Sequence, residues 1–474
     1  MKRPLFLLML LITLTNAFSQ RYWTLDECVN TAMKNNISLR QKNLTRRSAD
    51  ADVFQSKMNV LPSVNGQMSN NWNTGFAINP ITNSAQRDVT FRSNNFSLNA
   101  NMTLFNGFQN TNSIRLNESN KEATAHDVQS TMNTIALSIC NAYLLSLQNI
   151  ELVESRRLQT ESTKSLVMRQ EKMYELGASN KTKLLQLKAQ LSNEELLLVT
   201  AENQLAQSYL TLWQAMNIAP DSLNRIRSPE PGPSQVDSEI RTAEQVYEVY
   251  TQNSPEIKAA KQRRRSAEIS GFIAQGGRSP RLTLTGNINS FYSTQSQKFT
   301  GSAQNILFPT GIVDSAGNSL SYYTLARKYS NTEVVPFSEQ FDKNLGKTIG
   351  LSLTLPIFNG WQVNSNIKKQ NINLENAELN EAQARNDVYK NVYQSYLDFK
   401  SAKKKYEANV NNLDANKEAA VLAEGQFNLG ALSTNDYLQA KNANLQAETN
   451  FLQAKYELLF RRKVLDFYLG KSLY

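Results

Sequence analysis

Two copies of one unit follow each other in this chain, and this duplication restricts the possible fold more than any other feature of the sequence. Landmarks of the first copy recur 218 residues later: Thr24, Asn36, Ser48-Ala49 and Pro62 match Thr242, Ser254, Ser266-Ala267 and Pro280. Later landmarks recur at 253: Phe105-Asn106-Gly107, Tyr143-Leu144 and Leu176-Gly177-Ala178 match Phe358-Asn359-Gly360, Tyr396-Leu397 and Leu429-Gly430-Ala431. The growth of the offset places a 35-residue enlargement between Pro280 and Phe358.

The domain boundaries follow from the repeat. We predict a first repeat over 20–219 and a second over 235–474, separated by a linker at 220–234. Four of the 12 prolines lie between Pro220 and Pro233. Proline at this density ends helices and stiffens a connection.

Each repeat is expected to contain a helix, two strands, a long helix, a turn and a further helix. The stretch 108–176 has no Gly or Pro in 69 residues, which is roughly 100 Å of helix at 1.5 Å per residue. Its apolar residues from Val128 to Ala142 recur at steps of four and three, a pattern typical of lengthwise helix packing. We expect 178–219, 361–424 and 431–469 to be helical too. Helices of this length indicate tandem long helical hairpins that build a rod or tube.

Alternating segments precede both Phe-Asn-Gly motifs. From Phe96 to Leu104 apolar residues alternate with Ser, Asn or Thr. From Ile349 to Ile357 they alternate with Gly, Ser, Thr and Pro. This period of two predicts strands with one apolar and one polar face. We therefore expect strand hairpins at about 63–104 and 281–357. A soluble sandwich with the apolar face inward is the alternative for these strands taken by themselves.

The amino terminus resembles an export signal. Lys2 and Arg3 precede a short apolar run, and the small residues Ala17 and Ser19 stand three positions and one position before a cleavage site at Gln20, so we predict a signal peptide at 1–19. Beyond it no 18 consecutive residues are apolar, and we expect no transmembrane helix. Alternating strands in such an exported chain point to an outer-membrane β-barrel. Four strands cannot close a barrel, so several copies must share one.

Composition argues against an enzyme. The chain has one histidine, His126, and two cysteines, Cys28 and Cys140, which we expect to be buried. No metal site, cofactor site, nucleophile motif or phosphate-binding loop is predicted. The formal net charge of +10 is best explained by Lys and Arg that solvate long helices. Export makes nucleic acid an improbable partner.

The chain resembles the TolC-type outer-membrane efflux protein family, the outer-membrane channels of tripartite efflux and type I secretion systems. The resemblance runs from about residue 24 to 470. It rests on the duplication, the Phe-Asn-Gly junctions, the Leu-Gly turns at Leu176-Gly177 and Leu429-Gly430, and the run from Asn253 to Ile257.

The resemblance implies a mixed α and β membrane protein, a homotrimer with a 12-stranded barrel to which each chain gives four strands. The long helices would form a periplasmic tube that docks on a periplasmic adaptor protein and an inner-membrane pump. The barrel would sit in outer-membrane lipid, and the channel would conduct cargo passively. The cargo, the pump and the adaptor are not specified. The alternative is an exported coiled-coil structural or adaptor protein of the periplasm, which explains the helices but not the two hairpins.

The resemblance also implies a tip that gates the pore and contacts the adaptor, at Tyr174, Leu176, Gly177, Lys183 and at Phe427, Leu429, Gly430, Asp436. Family members usually have an acidic residue six positions after each glycine, and Asp436 fits while Lys183 does not. A basic residue can stand two positions after the second glycine, where this chain has Leu432. We hypothesise that Lys183 and Asp436 form an ion pair between adjacent tips; the alternative is two solvated helix-end charges.

Three further expectations concern side chains and loops. Tyr174 and Phe427 could narrow the bore or pack between tip helices. Phe105, Gly107, Phe358 and Gly360 would mark the change from strand to helix, with glycine supplying backbone freedom. The enlarged segment at about 293–347 is expected to be an extracellular loop, or else to fold back and constrict the mouth.

Overall fold

A computed structural model describes residues 21–78, 85–220, 224–226, 242–309, 311, 315, 317 and 322–471. The expected signal peptide and most of the expected linker lie outside these residues. The chain divides into two compact units. The helical unit, named for its described residues, is Met1–Ala51, Glu118–Ala267 and Asn373–Tyr474, and the second unit, which contains the main sheet, is Asp52–Asn117 and Glu268–Ile372.

Long helices dominate the chain. The helices are α1 (Leu25–Asn35), α2 (Ile37–Met58), α3 (Gln109–Glu175), α4 (Lys181–Met216), α5 (Ala243–Asn253), α6 (Pro255–Gly276), α7 (Phe337–Lys343), α8 (Gln362–Asn428) and α9 (Thr434–Tyr468). Helices α3 and α8 are 67 residues long each, which confirms the two long helices expected from the sequence. We expected this second helix to end at 424, but α8 continues through Gly425 and ends at Asn428, just before the turn at Gly430.

The repeated landmarks at the start of each copy are helix caps. Thr24 begins α1 and Thr242 begins α5, each with a capping box that satisfies free backbone amides. The side chains of Asn36 and Ser254 accept the amides of the third residue beyond them, at 3.1 and 3.3 Å. The single helix expected before each strand pair is therefore wrong: a cap divides it into two helices.

The core of the helical unit forms around α3 and α4. Ile139, Tyr143, Leu212 and Met216 are fully buried there. Cys28 and Cys140 are buried in the same cluster, as expected. Among the described residues, α3 is the one helix long and apolar enough to cross a membrane, judged by length and composition only. More than half of its most apolar stretch is buried within the structure.

Four strands form one antiparallel sheet in the second unit. These strands are β2 (Ser63–Ile78), β3 (Ala85–Phe105), β5 (Arg281–Ser293) and β8 (Gly346–Thr354), in the order β2-β3-β5-β8. The expected hairpins are thus joined through β3 and β5, and β8 ends before Pro356. The described residues contain two further strand pairs: β1 (Arg21–Trp23) with β4 (Asn224–Ile226), and β6 (Gln297–Pro309) with β7 (Tyr323–Val334).

The strand register places most of the apolar side chains on one side of the four-stranded sheet and rows of polar side chains on the other. Residues directly opposite each other on antiparallel strands point to the same face. One row consists of Val64, Ala100, Gly286 and Ile349, and the neighbouring row consists of Asn65, Asn99, Asn287 and Thr348. We call these two sides the apolar face and the polar face. The mixed fold with four alternating strands per chain is confirmed.

Candidate functional site at the helix tips and strand junctions

Both helix tips are closed by the same turn. Gly177, after α3, and Gly430, after α8, have left-handed φ values of 72° and 76°. The amide after each glycine donates to the carbonyl five residues earlier, at 2.8 and 2.9 Å. The glycine amides donate to Tyr174 and Phe427 carbonyls at 2.9 and 3.0 Å. These bonds form Schellman motifs, in which a side chain at the glycine position would be strained.

The helix that follows each tip begins at a capping side chain. Asn180 accepts the amide of Lys183 at 2.9 Å, and Ser433 accepts the amide of Asp436 at 3.2 Å. Lys183 and Asp436 thus occupy the same third position of their helices. The Ser433 hydroxyl also donates to the Asp436 carboxylate at 2.7 Å. A negative charge is favourable at this end of a helix and a positive charge is not.

Lys183 lies against an aromatic ring of the other repeat. Its ammonium is 4.3 Å from the centroid of the Phe427 ring, within the range of a cation–π contact. Phe427 is itself buried and stacks on Tyr437, with 4.6 Å between ring centroids. In the described part of one chain, Lys183 and Asp436 form no ion pair with each other. Phe427 packs between the helices, whereas Tyr174 remains partly exposed.

The two leucines of the tips project into solvent. Leu176 is 83% exposed and Leu429 is 86% exposed, each one residue before its glycine. The two leucines therefore occupy equivalent exposed positions at the ends of α3 and α8.

A buried polar cluster links α4 and α9, and the sequence did not indicate it. Lys441 lies 3.1 Å from a Glu194 carboxylate oxygen, and Thr163 is hydrogen-bonded to both. Gln190 donates to Glu194 at 2.8 Å. Burial lowers the pKa of Lys441, and the negative charge of Glu194 opposes that shift. The equivalent Lys188 of the first repeat is exposed and pairs with Glu171 at 2.8 Å, so the repeat offers no signal for this burial.

The strand-to-helix junctions differ between repeats. Gly107 and Gly360 both have left-handed φ values, 66° and 59°. A Cβ on Gly107 would lie 2.5 Å from the Gly276 carbonyl oxygen, whereas a Cβ on Gly360 would meet open space. Phe105 packs against Phe108 in an edge-to-face contact with centroids 5.4 Å apart; Phe358 is exposed. The close approach of Gly276 to Gly107 was not visible in the sequence.

Two outer-membrane proteins are similar to this chain in sequence. Outer membrane protein TolC of Salmonella enteritidis is 24% identical over 81% of this chain and 78% of the relative. Outer membrane protein TolC of Escherichia coli strain K12 is 23% identical over the same shares.

Solved structures share the fold. A crystal structure of CusC has a TM-score of 0.75 at 16% identity, covering 94% of this chain and 92% of the other. The outer membrane protein VceC of Vibrio cholerae has a TM-score of 0.72 at 15% identity, covering 95% and 97%. The Campylobacter jejuni CmeC outer membrane channel has a TM-score of 0.73 at 17% identity, covering 94% and 85%.

The family model described as outer membrane efflux protein matches residues 28–217 and 246–471. These two ranges fall one on each repeat and together include most of the chain. The chain therefore belongs to the outer membrane efflux protein family.

Proposed function

We propose that three copies of this chain form an outer-membrane exit channel that passively conducts cargo. An inner-membrane pump would deliver the cargo through a periplasmic adaptor. The observation that carries the proposal is the two-faced sheet, because one register separates the apolar from the polar face over all four strands. An apolar outside and a polar lumen are what a membrane barrel requires.

The edges of the sheet support an assembly of several copies. In the described residues β2 and β8 lie at the two ends of the strand order, so each pairs on one side. An open edge in lipid leaves backbone groups without partners, which costs several kcal/mol per group, so the sheet must close with other copies. Three chains give 12 strands, with rows of Asn, Thr and Ser facing the lumen.

The remaining parts of the chain take roles consistent with this arrangement. Residues 1–19 would direct export. The long helices of the two repeats, which 220–234 connects, would form the wall of the periplasmic tube. Leu176 and Leu429 support an adaptor contact at the tips because both are strongly exposed. A pair between Lys183 and Asp436 would have to join neighbouring chains, where it would contribute to a closed entrance.

The periplasmic coiled-coil alternative is not favoured. It accounts for α3, α4, α8 and α9, but it gives no reason for a continuous apolar face on a four-stranded sheet.

Native mass spectrometry of the detergent-extracted protein tests the assembly. Three mature chains of about 51 kDa should appear together at about 150 kDa, as barrel closure demands. A stable monomer in the same extract would contradict the shared barrel. Single-channel recording of the trimer in a planar bilayer should then show a conducting pore.

A further inference from the structure

The short helix α7 lies on the apolar face of the sheet. The ring of Phe96 is 5.8 Å from the ring of Phe337 and 5.4 Å from that of Phe341, measured between centroids. Ser290 donates to the Phe341 carbonyl at 2.7 Å. Phe96 and Ser290 are opposite each other in the register and belong to the apolar face. This part of the enlarged segment therefore covers the outside of the proposed barrel rather than the polar lumen.

Buried hydrogen bonds hold α7 in this place. The Gln340 side chain is buried, and its oxygen accepts the amide of Ser293 at 2.9 Å. Its nitrogen donates to the carbonyls of Ser293 and Val335 at 3.0 and 2.7 Å. Asn344 donates to the Phe291 carbonyl at 2.8 Å. The helix is thus fixed to β5 by polar contacts and to β3 by its rings.

After this packing, α7 still presents two kinds of side chain outward. Phe337 is 48% exposed and Phe341 is 37% exposed. On the polar side, Glu339 pairs with Lys343 at 2.7 Å and with Lys298 at 3.3 Å. Exposed rings that continue an apolar sheet face, next to charged side chains of both signs, match the boundary between acyl chains and lipid headgroups.

We propose that α7 is an interfacial helix, which lies at the lipid–water boundary on the outside of the barrel. Phe337 and Phe341 enter the acyl region, and Lys343 reaches the headgroup phosphates and water, as long cationic side chains do at interfaces. The occupant of this surface is bilayer lipid, because the surface is continuous with the apolar face. The inference rests on the proposed function, since lipid covers that face only in a membrane barrel.

Spin labels on single cysteines test this placement in the full chain, reconstituted in vesicles of phosphatidylcholine and phosphatidylglycerol. The native cysteines are buried, so the label reaches introduced sites. Phe337→Cys and Lys343→Cys probe the two sides of α7. Leu351→Cys on the apolar face and Asn65→Cys on the polar face are the controls. Power saturation compares collisions with oxygen, which concentrates in lipid, and with a water-soluble nickel chelate.

The label at Phe337 should collide with oxygen in large excess over nickel, but at a shallower depth than the label at Leu351. The label at Lys343 should favour nickel. If Leu351 reports lipid while Phe337 reports water as Asn65 does, the inference is overturned and the barrel stands. Shielding of Phe337 from both reagents would place a second chain there and also overturn it. Nickel access at Leu351 would contradict the proposed function itself.

Discussion

The Lys441 ammonium and the Glu194 carboxylate face each other at 3.1 Å with their side chains only 9% and 2% exposed. They join α9 of the second repeat to α4 of the first. Taking two charges out of water is expensive, and their attraction offsets that cost only when both are present. The intact pair is therefore expected to add little net stability, whereas the loss of one partner is expected to be costly.

Glu194→Gln should lower the free energy of unfolding by about 3 kcal/mol, because it leaves the buried Lys441 without its counter-charge. Chemical denaturation of the trimer in detergent, followed by far-ultraviolet circular dichroism, measures this loss. Replacing both partners, Lys441→Met with Glu194→Leu, should be neutral or stabilising by about 1–4 kcal/mol.

The exposed pair of the first repeat provides the matched control for Glu194→Gln. Glu171→Gln removes the partner of Lys188 in solvent and should cost about 0–1 kcal/mol. Equal losses for Glu171→Gln and Glu194→Gln would show that burial of the second pair has no energetic consequence.

Gly107→Ala should destabilise the protein more than Gly360→Ala, although the two glycines are equivalent in the repeats. Both changes place a Cβ at left-handed φ, at a cost of about 1–2 kcal/mol. At Gly107 the new methyl group also meets the Gly276 carbonyl oxygen at 2.5 Å. The heat resistance of the trimer on gels compares the two variants, and an identical response would contradict the close backbone approach.

Cys140 should make stability fall at alkaline pH. Burial raises the pKa of its thiol to about 11, whereas an exposed thiol has a pKa of about 8.5. The unfolded chain therefore loses this proton first. The contribution of the protonated Cys140 thiol to the free energy of unfolding is complete below about pH 8.5 and is lost as pH rises through about 11. Cys140→Ala should flatten the decline of unfolding free energy over that window.

A thiol reagent gives an independent check of Cys140 and Cys28. At pH 8 the native protein should react slowly at both cysteines and rapidly at both after unfolding. Fast native labelling of Cys140 would contradict the burial described above.

Asp436→Lys should raise the conductance of the closed channel in a planar bilayer, if Asp436 pairs with Lys183 of a neighbouring chain. The reversed charge also loses a favourable position at a helix start, so Ser433→Ala, which removes the cap but keeps the charge, is the control. Adding Lys183→Glu to Asp436→Lys should restore low conductance. Wild-type conductance in Asp436→Lys would contradict the pair.

Much of the fold could be predicted because it is encoded locally and twice. Gly177 and Gly430 end their helices through backbone bonds that depend on nearby residues. Alternation from Phe96 to Leu104 identifies a strand and also its two faces, since successive side chains point to opposite sides. The division at Asn36 was missed because its cap is a single side chain within an otherwise helical pattern.

The rest depends on tertiary contacts that the local sequence does not contain. Lys188 and Lys441 each follow a Leu-Gln pair at the same spacing. Only Lys441 is buried, since it lies opposite the buried Glu194, whereas Lys188 faces solvent. Nothing in the sequence around Gly276 indicates its contact with Gly107. The docking of α7 requires Phe96, more than 200 residues earlier in the chain, and so no periodicity could indicate it.

The register of the sheet determines where this protein can change length. A single inserted residue within β5 or β8 would exchange the two faces beyond it and turn Asn and Thr rows toward lipid. The enlarged segment enters after β5 and returns before β8 while Arg281 still pairs with Thr354, so it leaves the pairing intact. A foreign peptide added between β5 and β8, outside both strands, would accordingly leave their pairing unaltered.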